Sequence, residues 1–169
     1  MTTLAAEVWI DAPKEKVWDI VADFGNISLW NPNVPNSYLT SDQTTGEGTT
    51  RHCDLSLSGV TVEERILEWN DGESMTIEIY DGTKTPPWKS AQATFTLKEK
   101  DGGTHVVGAF SFEMKYGPIG KLMSKFMIEP QFGKAWQQLF AGLKHHVETG
   151  EQVDSPKGLD FSAVQAVPA

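Results

Sequence analysis

Apolar residues change their spacing several times along this chain, and each change predicts an element. Leu4 to Asp11 carries Val8, Trp9 and Ile10 and stops at Ala12-Pro13, which reads as a strand followed by a helix start with proline in its first turn. Val17, Ile20, Val21 and Phe24 then recur at i, i+3, i+4 and i+7, the spacing of one helical face, and Gly25 is placed to end that helix. A further short turn of helix is expected over Asn26 to Trp30, before Pro32 and Pro35 extend the chain. From Val34 to Tyr116 the pattern is that of strands, separated by turn signals such as Thr45-Gly46, Ser58-Gly59, Asp71-Gly72, Asp81-Gly82 and Asp101-Gly102-Gly103. Strands joined this closely pair antiparallel.

After Gly117-Pro118 the helical period returns. Trp136, Leu139, Phe140, Leu143 and Val147 form a stripe that must bury against the sheet. The helix predicted over Ile119 to Glu148 contains Pro130, which lacks a backbone donor and should kink or divide it. Beyond Thr149-Gly150 no period survives, so residues 1–149 are expected to form one domain and 150–169 a mobile tail. One strand, two short helices, several antiparallel strands and one long helix make an α+β fold, and a gap between sheet and helix would form a pocket.

Two strands break their own alternation in the same way. Cys53, Leu55 and Leu57 share a face with Arg51, and Val60, Val62 and Ile66 share a face with Glu64. Both charges are therefore expected to point inward, on strands linked through Ser58-Gly59. An isolated buried charge is costly, so such groups pair, bind a charged ligand or change protonation. Two readings stay open: an internal salt bridge that fixes strand register, or a site in which Arg51 holds a ligand oxygen and Glu64 moves a proton. The aromatic and methionine set of Trp30, Trp88, Phe110, Phe112, Met114, Met123, Phe126 and Met127 suits either plain core or the lining of a cavity.

Composition narrows the partners. Hydrophobic residues make up 39% of the 169 and charged residues 22%, ordinary for one globular domain. The net charge is -9, and no dense basic run is available to hold nucleic-acid phosphates or an anionic lipid surface. Cys53 is the single cysteine, which excludes an internal disulfide and fits a reducing compartment. His52, His105, His145 and His146 lack the spacing of a metal site, so no metal or cofactor is expected. No serine sits in a nucleophile elbow and no glycine-rich loop resembles a phosphate cradle. No apolar run approaches the roughly 20 residues that span a bilayer, and a cytoplasmic monomer or homodimer is the expectation.

Several motifs resemble a known family. Val17-Trp18-Asp19-Ile20-Val21-Ala22-Asp23-Phe24 leading to Trp30-Asn31-Pro32, then Gly48-Thr49-Thr50-Arg51, then Glu64-Arg65-Ile66-Leu67-Glu68, are similar in order and kind to the polyketide cyclase/dehydrase and lipid-transport family of the START-like superfamily. The resemblance covers roughly Leu4 to Glu148 and implies a helix-grip fold, a curved antiparallel sheet wrapped around a long C-terminal helix. Within the superfamily, the positions of Arg51 and Glu64 resemble an arginine and a glutamate of lachrymatory factor synthase, which binds and rearranges a small sulfenic acid, and more distantly the abscisic-acid receptors. Trp88-Lys89-Ser90 falls where those relatives carry a cavity tyrosine followed two residues later by Ser or Ala, so Trp88 stands in place of a phenol. The resemblance points Trp88 and Ser90 inward, whereas alternation points Ala91, Ala93, Phe95 and Leu97 inward, and both hold only across a bulge.

The implied functions fall into three classes. The first is a cofactor-independent cyclase, dehydratase, isomerase or lyase acting on a small hydrophobic or aromatic molecule, with Arg51 and Glu64 catalytic and Trp30, Trp88, Ser90, Phe110, Phe112, Met123, Phe126 and Met127 binding the ligand. The second is a carrier or receptor for a hydrophobic metabolite that uses the same pair as a polar anchor. The third is a protein-interaction module.

Overall fold

All the strand-forming stretches join one sheet. In the computed structural model, which describes residues 1–123, 125–126 and 129–167 and only the backbone of Lys121 and Met123, β1 (Thr2–Ile10) is followed by α1 (Lys14–Ala22) and a 3-10 segment (Phe24–Leu29). Six strands come next: β2 (Asn36–Leu39), β3 (Thr50–Asp54), β4 (Thr61–Asn70), β5 (Ser74–Thr83), β6 (Trp88–Lys100) and β7 (Gly103–Met114). The chain then forms α2 (Gly117–Met123) and α3 (Glu129–Thr149), and closes on β8 (Val164–Val167). The sheet order is β2-β3-β4-β5-β6-β7-β1-β8, with every pair antiparallel. This is the α+β helix-grip arrangement expected of the sequence.

Bulges bend the sheet around its helix. The β4–β5 register shifts between Glu63 and Glu64 and again between Ile66 and Glu68, and the β6–β7 register shifts between Trp88 and Ser90. Each extra residue reverses which face its successors occupy and tightens the local twist. The second shift turns Trp69 inward, where it meets Trp18 of α1 edge-on at 5.0 Å between ring centroids. The third resolves the parity conflict on β6: Trp88 faces the helix and so does Ala91, while Ser90 lies exposed.

The stripe on α3 buries Leu139, Phe140, Leu143 and Val147 against the concave face. Two glycines permit its close seating. A Cβ at Gly108 would lie 2.4 Å from Phe140 Cζ, and one at Gly142 would lie 2.2 Å from the Trp30 carbonyl oxygen. Pro130, expected to kink or divide the long helix, occupies the first turn of α3, where a missing backbone donor costs no helical hydrogen bond.

After Gly150, where the helical period ends, the chain packs back against the body of the fold. The Val153 amide donates to the Leu29 carbonyl at 2.9 Å, Val153 and Val164 are buried, and β8 pairs with β1 from Ala5↔Val167 to Val8↔Val164. Four residues are too few to show alternation in a sequence, but the open edge of β1 supplies unpaired backbone groups that such a segment satisfies. No described helix is long and apolar enough to cross a membrane.

Candidate functional site

Register places the two inward charges side by side. Arg51 on β3 and Glu64 on β4 are direct partners across the ladder, so both side chains leave the same face of the sheet. Arg51 Nε donates to Glu64 Oε2 at 2.6 Å, and its Nη1 donates to the Phe24 carbonyl oxygen at 2.8 Å. The guanidinium lies 4.0 Å from the centroid of the Phe24 ring, a cation–π contact that covers its flat side. Cys53 Sγ, two residues along β3, donates weakly to the same Glu64 oxygen at 3.5 Å.

Burial opposes charge on Arg51, but the Glu64 carboxylate beside it more than offsets this, with Cys53 adding, and the guanidinium titrates above its ordinary value. Burial pushes the Cys53 thiol far above its ordinary value, so it sits here as a small core group and not as a nucleophile. Glu64 Oε1 and Arg51 Nη2 have no hydrogen-bond partner among the described residues.

Both charged groups face a cavity of about 150 Å³ between the sheet and α3. Trp88, Phe110, Phe132 and Trp136 form much of its wall, with Phe110 and Phe132 stacked at 5.1 Å and Trp88 edge-on to Phe132 at 5.8 Å. The Trp136 indole N–H is taken by the Gly108 carbonyl oxygen at 3.2 Å, which leaves the ring as an apolar surface. That volume matches cavities that take a single six-membered ring. A larger cleft of about 950 Å³ beside α1 is open to solvent and brings no buried ion pair to an apolar wall.

Of the residues assigned to ligand binding from the sequence, Trp88 and Phe110 line this cavity. Phe112 is buried behind the wall in a small cluster with Ala91 and Phe110. Trp30 belongs to the main core, away from the cavity, and its indole N–H has no acceptor among the described residues. Ser90 points to solvent, because the bulge at Lys89 reverses its face. Phe126 is 68% exposed and Leu122 61%, and neither lines the cavity. The reason is where α3 begins: the helical wall comes from Phe132, Ala135, Trp136 and Leu139, one to two turns later. The Met123 side chain and Met127 lie outside the described residues.

Phe132 and Asn31 are among the lining residues that the sequence reading did not assign to the site. Phe132 extends the α3 stripe by one turn, at i−4 from Trp136, and that spacing was visible. Asn31 is buried and lines the cavity, and its only sequence signal was an amide between two residues that pack inside, Trp30 and Pro32. Among the described residues no three His, Cys, Asp or Glu side chains gather as a metal site.

The family described as polyketide cyclase / dehydrase and lipid transport matches residues 1–148. Comparison with curated proteins finds no match. Among solved structures, TTHA0849 from Thermus thermophilus superposes with a TM-score of 0.72 at 20% identity, covering 88% of this chain and 99% of that one. Ara h 8.0201 superposes at 0.71 with 16% identity over 88% and 98% of the two chains. A START superfamily protein from Mycobacterium smegmatis superposes at 0.66 with 14% identity over 86% and 97%. At these identities the likeness is one of fold.

Proposed function

Because the chain belongs to the polyketide cyclase/dehydrase and lipid-transport family, we propose that it binds a small hydrophobic or aromatic molecule between its sheet and α3 and rearranges it by proton transfer without a cofactor. The observation that carries this reading is the buried Arg51–Glu64 pair, which presents one unshared carboxylate oxygen and one unshared guanidinium nitrogen to an apolar cavity of ring size. As a base, Glu64 Oε1 takes a proton from the carbon next to a carbonyl, and the bonding electrons move to the carbonyl oxygen, where Arg51 stabilises the resulting enolate. The enolate then either recovers the proton from Glu64 at another atom, which is isomerisation, or expels a β-hydroxyl that takes the Glu64 proton and leaves as water, which is dehydration. Apolar walls around both charges strengthen these interactions relative to water.

A carrier using the pair only as an anchor is the competing reading, and Glu64→Gln separates them. The amide keeps the shape and removes the base, so turnover of a β-hydroxy ketone or an enolisable ring substrate should fall by about 10²–10⁴-fold with binding retained within a few-fold. Equal loss of binding and turnover, or no loss of either, counts against catalysis. The single, buried Cys53 suits a reducing compartment, and we place the protein in the cytoplasm on that ground.

A further inference from the structure

We infer that Asn31 positions the ligand of this cavity, and that the ligand is a single flat ring bearing an acceptor oxygen, shared by Asn31 and Arg51, next to a hydroxyl or acidic C–H that meets Glu64. The inference rests on the reading of the cavity as a binding site.

The orientation of the Asn31 amide follows from its neighbours. Its Oδ1 accepts from the Asn33 backbone N–H at 3.0 Å and from Asn33 Nδ2 at 3.3 Å. A backbone N–H can only donate, so the oxygen end is fixed and the NH2 end points the other way. That Nδ2 has no acceptor among the described residues, although Asn31 is only 6% exposed and lines the cavity. Buried amides normally have their partners, and one left open toward a cavity marks where a ligand atom completes the set.

The loop holding Asn31 cannot easily turn the amide elsewhere. Its backbone N–H donates to the Ile27 carbonyl at 2.9 Å and its carbonyl accepts from the Val34 amide at 3.0 Å. Asn33 Nδ2 also donates to the Ala135 carbonyl oxygen on α3 at 3.2 Å, and the Ser56 amide donates to the Asn33 carbonyl at 2.9 Å. The donor is thus held between α3 and the turn joining β3 to β4, an arrangement that lowers the ordering cost of using it.

The unshared groups specify a chemical class. Asn31 Nδ2 and Arg51 Nη2 are donors, and Glu64 Oε1 is an acceptor. A carbonyl or enolate oxygen has lone pairs for both donors, and a hydroxyl or acidic C–H satisfies the acceptor. A hydrocarbon of the same shape would leave all three groups without a partner from the ligand, which disfavours it against a ring that carries the matching oxygen.

Four ring-sized probes test the inference: toluene, benzaldehyde, 3-hydroxybenzaldehyde and phenol, titrated into the full chain by protein NMR. The intact protein should bind benzaldehyde about tenfold more tightly than toluene, as one to two net hydrogen bonds provide, and 3-hydroxybenzaldehyde more tightly still. Asn31→Asp keeps the oxygen that accepts from Asn33 and replaces the donor with a second acceptor. It should cut the preference for benzaldehyde to about twofold or less, while leaving toluene affinity within about twofold. Asn31→Ser, which also retains an acceptor for the turn, should show the same loss, and thermal melts of both variants establish that they are folded. A tenfold preference that survives both substitutions overturns the role of Asn31 and leaves the cavity reading standing. If none of the four probes binds the intact protein, the cavity reading fails and this inference fails with it.

Discussion

Strands β3 and β4 carry two charged pairs one residue apart, and the two faces of the sheet treat them differently. On the inner face Arg51 meets Glu64 with its guanidinium enclosed by Phe24 and Cys53. On the outer face His52, the direct ladder partner of Glu63, has both ring nitrogens on carboxylates: Nδ1 on Glu63, and Nε2 on Asp54 at 3.2 Å. The Tyr38 ring stacks on the imidazole at 5.0 Å and is itself half-exposed, and Asn36 donates to the far oxygen of Asp54 at 2.8 Å. Register alone places both pairs, but the outer one is the more exposed to water. The difference in environment makes the inner pair costly to break, and makes the outer pair weak and titratable.

Breaking the inner pair from one side should have the largest effect. Arg51→Met keeps the length of the stem but leaves the Glu64 carboxylate buried without its cation, and the hydrogen bond to the Phe24 carbonyl is lost as well. Urea unfolding should show a loss of about 3–5 kcal/mol. A loss below about 1 kcal/mol, the range of exposed pairs, would show that the inner pair is as wet as the outer one.

Removing both charges sharpens the comparison. Arg51→Met combined with Glu64→Leu replaces the pair with apolar volume, and the double variant should recover most of the stability lost in the single one. It should also lose the preference for oxygen-bearing rings. Recovery of stability with that preference intact would break the link between the pair and the ligand.

The smallest effect belongs to the outer face and appears as a pH dependence. The hydrogen bond to Glu63 raises the His52 pKa above 6.5, burial opposes this, and Asp54 adds to the rise. A raised folded-state value means that the contribution is whole below 6.5 and is lost as pH climbs through the folded value. The amplitude should stay under about 1 kcal/mol because solvent screens the group. Unfolding measured from pH 6 upward should therefore show a decline that His52→Gln removes, and identical profiles for the two proteins would remove His52 from the account.

Much of the candidate site was legible because it violated a pattern. Arg51 and Glu64 stand at positions where alternation demands an apolar residue, so their inward direction followed from strand period alone. Trp88 and Ser90 were not separable in this way, since one unpaired residue at Lys89 sends them to opposite faces and nothing in the local composition marks a bulge. Phe126 and Phe132 pose a similar problem on the helical side. Both are aromatic residues near Pro130, and only the start of α3 at Glu129 decides that Phe132 faces the cavity while Phe126 faces solvent.

By itself the sequence determined the element types, the antiparallel order implied by short turns, the α3 stripe and the two inward charges, because each depends on spacings of a few residues that backbone geometry makes periodic. Tertiary structure alone decided the pairing of β8 with β1, the faces of Trp88 and Ser90, and the meeting of Asn31 with Phe132 and the Arg51–Glu64 pair around one cavity. These depend on contacts between residues distant in the chain, where a single shift of register or a helix start displaced by one turn changes the neighbour without changing any local pattern.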